Sequence, residues 1–175
     1  DFLAEISQYI HPRILKGETF DKVDEAGYSA QNYIVIALGH FFADRFQEAL
    51  TAIERAVSLA PQDPVCYNNR GLVNFQLGNR TLALEDYNHA ISLKPDYHEA
   101  YSNRGNTFIY LNDLAAALRD HTRAIEINPN FGAAYCDRAS VLVRLKQYDN
   151  ALQDANRAIE LLPNDQKSLC YRALA

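Results

Sequence analysis

Apolar side chains recur at spacings of three and four along most of this chain, and the stripes come in pairs separated by short polar turns. Over residues 80–93, Ala83, Leu84, Tyr87, Ala90 and Ile91 fall on one face, the pattern of a helix with one buried side. Residues 64–77 precede it with a second helical pattern. Asp63 is an N-cap residue there, Pro64 occupies the first helical position, where a missing N–H costs least, and Gly78-Asn79 forms the turn between the two helices. Pro95 closes the pair. The arrangement recurs with Leu111-Asn112-Asp113 as turn and Pro129 as stop, then with Lys146-Gln147 and Pro163. It is looser at the start, where Tyr33, Ile36 and Ala37 lead to a turn at Asp44-Arg45 and then to Ala49, Ile53, Ala56 and Pro61.

The pairs repeat every 34 residues: Tyr67-Asn68-Asn69-Arg70-Gly71, Tyr101-Ser102-Asn103-Arg104-Gly105 and Tyr135-Cys136-Asp137-Arg138-Ala139 occupy equivalent places. A unit of this size cannot bury its own apolar face and must stack on its neighbours, so the period decides the architecture. The units fall at 30–63, 64–97, 98–131 and 132–165. Residues 1–29 do not fit the period. Phe2, Leu3, Ile6 and Ile10 make an apolar stripe that Pro12 terminates, and residues 30–43 are unusually apolar for an end unit. Residues 1–29 are therefore expected to form a helical cap over the first unit. Arg172 continues the arginine series, so residues 166–175 are expected to be a C-terminal capping helix or the start of a fifth unit.

Gly71, Gly105, Ala37 and Ala139 are small where the two helices of a unit should approach closely, with Tyr67, Tyr101 and Tyr135 expected to fill the gaps beside them. Arg70, Arg104 and Arg138 recur in register with Asp86, Asp120 and Asp154 on the second helices. The pattern reads as bidentate pairs, within a unit or to the preceding one, rather than as a basic ladder for an acidic ligand.

Of 175 residues, 48% are apolar, enough for a continuous core. The net charge of −5 with no basic block gives no footprint for tracking phosphates, so no nucleic acid partner is expected. No run of about 18 apolar residues predicts a membrane span. The chain opens at Asp1 and contains no Met, so a processed product or an excised segment of a longer protein is expected. Cys66, Cys136 and Cys170 form no Cys-x-x-Cys pair, so neither a metal site nor a disulfide framework is expected. Free thiols fit a reducing compartment, which points to the cytoplasm. His11, His40, His89, His98 and His121 lack zinc-protease spacing, and no nucleophile elbow or phosphate-cradling loop occurs. Neither a catalytic constellation nor a cofactor is expected. His89 and His121, on second helices, read as solvated or packing residues.

The second unit resembles the tetratricopeptide repeat (TPR) family through Tyr67, Gly71, Ala83, Tyr87, Ala90 and Pro95. The third does so through Tyr101, Gly105, Phe108, Ala117, Ala124 and Pro129, and the fourth through Tyr135, Ala139, Leu142, Ala151, Ala158 and Pro163. Arg70, Arg104 and Arg138 depart from the usual apolar residue, and His40 and Asn74 stand where a large apolar side chain is common. The resemblance implies an all-α fold, a right-handed superhelical α-solenoid of stacked helix-turn-helix repeats. It also implies a non-catalytic scaffold whose first helices line a concave groove for a peptide segment of a partner protein.

Carried onto this chain, that groove would present Asn68, Asn69, Leu72, Phe75 and Gln76 from the second unit and Ser102, Asn103, Asn106, Ile109 and Tyr110 from the third. Ser140 and Arg144 would come from the fourth, with Ile34, Leu38, Phe41 and Phe42 at the apolar start. One subfamily clamps a C-terminal carboxylate with two Lys, two Asn and an Arg. Here the matching places hold Ile34, Leu38, Asn69, Glu99 and Asn103 in one frame, and Asn68, Leu72, Asn103, Ala133 and Asp137 in the other. A carboxylate clamp is not expected. Asn69 and Asn103 suit either the amides of an extended peptide or neighbouring helix ends. The apolar first unit also leaves open a self-associating module, a homodimer.

Overall fold

A computed structural model describes residues 28–162. Among them are eight α-helices: α1 (Ala30–Phe42), α2 (Phe46–Leu59), α3 (Pro64–Gln76), α4 (Arg80–Leu93), α5 (His98–Tyr110), α6 (Leu114–Ile127), α7 (Gly132–Arg144) and α8 (Tyr148–Leu161). Each first helix has 13 residues and each second helix 14. The architecture is all-α and repetitive, with consecutive helices packed in pairs. Residues 1–27 of the expected cap and all of 166–175, with Cys170 and Arg172, lie outside the described residues.

Local chemistry accounts for where the helices begin and end. Asp63 accepts a hydrogen bond from the Val65 amide at 2.9 Å with Pro64 at the first helical position, and Ser29 and Asn32 form a reciprocal capping box on α1. All four turns within a repeat close the same way. The amides of Arg45, Asn79, Asp113 and Gln147 each donate at 2.9 Å to the carbonyls of His40, Asn74, Phe108 and Leu142. The amides of Asp44, Gly78, Asn112 and Lys146 donate to the carbonyls three residues back. The two bonds together satisfy the last carbonyls of a helix and require a left-handed residue between them. Asp44, Gly78, Asn112 and Lys146 supply it, at φ 55°, 85°, 61° and 60°.

The described residues divide into two compact units between Leu93 and Lys94. In the first, α1 packs on α2, α3 on α4, α2 on α3 and α1 on α3; in the second, α5 to α8 repeat those contacts. The apolar core of the first unit gathers Tyr33, Ile34, Ile36, Ala37, Ala49, Ile53, Ala56, Cys66 and Val73. A smaller cluster in the second unit centres on Ala124, Ile125 and Ala134.

The close approach of paired helices falls where small residues were expected, but the filling side chains differ. A Cβ on Gly71 would lie 2.6 Å from the Tyr87 ring, and one on Gly105 would lie 2.9 Å from the His121 ring. The rings that fill the gaps therefore come from the second helix. Tyr67, Tyr101 and Tyr135 are only half-buried and lie beneath the arginines, 5.3, 5.3 and 5.7 Å from ring centroid to guanidinium carbon. The reason is geometric: residues three apart on a helix are neighbours, and the Arg follows its Tyr at that spacing.

Each of these arginines reaches an Asp of its own repeat. Arg70 Nη2 donates to Asp86 at 2.6 Å, Arg104 Nε to Asp120 at 2.7 Å and Arg138 Nε to Asp154 at 2.6 Å, with a second guanidinium nitrogen engaged each time. The carboxylates are buried. Hydrogen bonding to the carboxylate raises each guanidinium above its ordinary pKa. In the first repeat the equivalent places hold buried Ile36 and Ala52, an apolar contact in place of the pair.

His121 is fully buried, and neither ring nitrogen has a hydrogen-bond partner. Burial, helped by Arg138, holds it down to about 4 from an ordinary 6.5. An unfolded chain therefore takes up the proton more readily than the folded one between these values. Stability is complete above about pH 6.5 and falls as the pH drops toward 4, by up to about 3 kcal/mol. His121→Tyr, copying the Tyr87 and Gly71 pair, removes that slope in urea titrations at pH 4.5 and 7, whereas an equal slope in both proteins would contradict the assignment. Asp120→Ala should cost about 2–3 kcal/mol in urea unfolding, less than a wholly buried pair because Arg104 can still hydrate. Glu126→Ala, which breaks the exposed pair with Arg123, should leave the midpoint in place.

Candidate functional site

The positions the sequence points to lie on first helices, α1 and α3 in the first unit and, separately, α5 and α7 in the second. Helical spacing turns some expected lining positions outward and buries others. On α3, Leu72 and Phe75 are half-buried and Gln76 is exposed, while Asn68 and Asn69 are buried. The Arg80 guanidinium lies over the Phe75 ring at 4.0 Å, which braces that ring from the start of α4. On α1, Ile34 is buried, Leu38 and Phe41 are half-buried and Phe42 is exposed.

In the second unit, Ser102 is buried, Asn103, Asn106 and Ile109 are half-buried, and Tyr110 is 69% exposed. Several of these polar groups hold neighbouring repeats together. Asn106 Nδ2 donates to Asp137 of α7 at 3.0 Å. Arg144 Nη2 donates to Asn112 Oδ1 at 2.7 Å and Nη1 to the Ile109 carbonyl at 3.3 Å, which ties the end of α7 to the turn after α5. The Ser140 hydroxyl donates to the Asp137 carbonyl within its own helix. Asn106, Ser140 and Arg144 thus carry structural bonds that spacing alone does not reveal, because their partners lie in another repeat or on the helix itself.

Glu99 sits beside His98, whose Nδ1 is 3.0 Å from the carboxylate, while His98 Nε2 faces Asn128 Nδ2 at 3.0 Å. A proton on Nδ1 suits both contacts, with Nε2 accepting from the amide. Burial pushes the Cys66 thiol up to about 11, so it is protonated at neutral pH and a poor nucleophile. Among the described residues no group of three His, Cys, Asp or Glu side chains could hold a metal ion, and no helix is long and apolar enough to cross a membrane. In the first unit these helices offer the half-buried Leu72 and Phe75 beside the exposed Gln76, and in the second the half-buried Ile109 and exposed Tyr110 near the half-buried Asn103.

Tetratricopeptide repeat family models match residues 38–104, 98–131 and 122–153. No curated protein sequence matches the chain. Among solved structures, a thermophilic TPR protein of Thermus thermophilus is similar at 24% identity, with a TM-score of 0.71 over 76% of this chain and 74% of the other. MamA is similar at 20% identity, with a TM-score of 0.68 over 93% and 90%. Both likenesses are of fold. The first TPR of Spaghetti (RPAP3), solved bound to the HSP90 peptide SRMEEVD, shares 27% identity, with a TM-score of 0.63 over 67% of this chain and 94% of the other. The turns, the paired helices and the matched segments agree: the chain belongs to the tetratricopeptide repeat family, whose fold is a scaffold for protein–protein interaction.

Proposed function

We propose that this protein is a non-catalytic scaffold that binds a peptide segment of a partner protein on the face presented by the first helices within a unit. The observation that carries the reading is a contrast between repeats. The small first-helix residue at the helix-pair contact recurs in all four repeats and the Arg and Asp pair in three, whereas Leu72, Phe75 and Gln76 are replaced at the equivalent places by Asn106, Ile109 and Tyr110 while the backbone repeats. Side chains freed from the period are available for selecting a ligand. Support also comes from the Spaghetti domain, which holds its HSP90 peptide on a similar fold.

The ligand is expected to differ from that acidic peptide. The places of a carboxylate clamp hold Ile34, Leu38 and Glu99, and Glu99 repels an anion. An extended or helical segment with an apolar anchor fits Leu72 and Phe75, or Ile109 and Tyr110, with amide contacts from Asn103. A second reading, self-association through the first repeat, is favoured by Phe42, 55% exposed and in edge contact with Phe41 at 5.6 Å. Light scattering that shows dimers growing with concentration, in a protein that captures no peptide, would select it.

Two single substitutions separate fold from binding. Asn106→Ala strands part of Asp137 and should lower stability by about 1–3 kcal/mol in chemical denaturation. Tyr110→Ala should leave stability within about 0.5 kcal/mol and weaken a peptide selected from a displayed library by roughly tenfold or more. Wild-type affinity in Tyr110→Ala and in a matching Leu72→Ala variant would remove the first-helix face from the mechanism.

A further inference from the structure

A cleft of about 470 Å³ opens among α2, α3 and α4 of the first unit, and none of the expected groove residues of α3 lines it. Leu50, Leu82 and Tyr67 line it with apolar surface, and Leu82 is 48% exposed. Glu54 of α2 and Glu85 of α4 line it at exposed positions, and Arg70 lines it while clasped to Asp86. Neither Glu54 nor Glu85 makes an ion pair with another described residue. Three carboxylates against one guanidinium leave two unmatched negative charges.

The second unit supplies an internal comparison on the same backbone plan. At the equivalent places, 68 residues on, Leu118, Tyr135, Arg138 and Asp154 are retained. Thr122, however, stands for Glu54, Gln153 for Glu85, Asn150 for Leu82 and Arg157 for His89. There Arg138 Nη1 donates to the Thr122 hydroxyl at 3.2 Å, and the clasp to Asp154 is intact. The repeat therefore folds without either carboxylate and without the exposed leucine. The positions that make the cleft acidic and amphipathic are the ones the repeat does not need.

We propose that this cleft is a second docking surface, one that takes a basic segment of a partner protein. An arginine or lysine of that segment lays its methylenes on Leu50, Leu82 and Tyr67 and brings its charge against Glu54 and Glu85. A backbone carbonyl of the same segment accepts from the guanidinium donors of Arg70 that Asp86 leaves unused. The surface is separate from the first-helix face, so one chain can hold two partner segments.

The test is an amide chemical-shift titration of the full chain with the blocked tetrapeptide acetyl-Ala-Arg-Arg-Ala-amide at physiological salt. Shifts should concentrate at Glu54, Leu82, Glu85 and His89. Glu54→Thr with Glu85→Gln, which transplants the lining of the second unit, should weaken binding roughly tenfold. Leu82→Asn should weaken it severalfold through lost stem contact alone, and reports on the cleft even where the double variant is poorly folded. Asp96→Asn with Asp149→Asn removes the same charge elsewhere and should change nothing. Equal weakening by the two charge pairs, shifts spread over the acidic surface, or shifts confined to Leu72, Phe75 and Tyr110 would each overturn the proposal, and the last would leave the first-helix reading standing.

Discussion

Each repeat depends on how closely its two helices can approach. Helices of 13 and 14 residues are too short to persist alone in water, so the pair must be held by packing. Gly71 meets the Tyr87 ring and Gly105 the His121 ring, and at the equivalent places of the other repeats Ala37 and Ile53, and Ala139 and Ala155, are all buried. Where the first helix gives up its side chain, the second supplies a ring. Where it keeps a methyl, the second supplies something smaller. The main-chain turn decides where the second helix starts, this contact sets its distance, and in three of the four repeats an arginine clasp joins the two helices.

The clasp is one of two solutions to the same problem. Ile36 and Ala52, both buried in the apolar core, show that the same places can be filled without an ion pair. That agrees with the general finding that a buried ion pair adds little net stability over well-packed apolar residues, while losing one partner is costly. What the pair adds is direction. A bidentate guanidinium accepts one orientation of the carboxylate, and the tyrosine beneath it holds the guanidinium plane.

Much of this architecture could be read from the order of residues, because it is local. Asp63 and Pro64 start a helix, Gly78-Asn79 ends one, and the stripe from Ala83 to Ile91 faces inward, each through neighbours within a turn or two. Arg104 and Asp120 were legible as partners through their common period, although only the fold selects the same repeat over the preceding one. Tyr87 and His121 were hidden as gap-fillers because the tyrosines at 67, 101 and 135 recur more conspicuously. Of the expected groove, the outward Leu72, Gln76 and Tyr110 were legible from helical phase. The bond from Asn106 to Asp137 and the hold of Arg144 on Asn112 were not, since they join residues of different repeats.

The turns at positions 44, 78, 112 and 146 are closed by main-chain bonds, yet their tips are an aspartate, a glycine, an asparagine and a lysine, all exposed. Their sameness is in the backbone and their difference in the side chain. This has a consequence for how such a chain grows by gene duplication. A copied segment of one period brings its own joint and needs only a neighbour to stack on, which leaves its outward residues free to drift. Glu54 and Glu85, against Thr122 and Gln153, are differences of this kind, outward residues that changed on a repeated backbone plan.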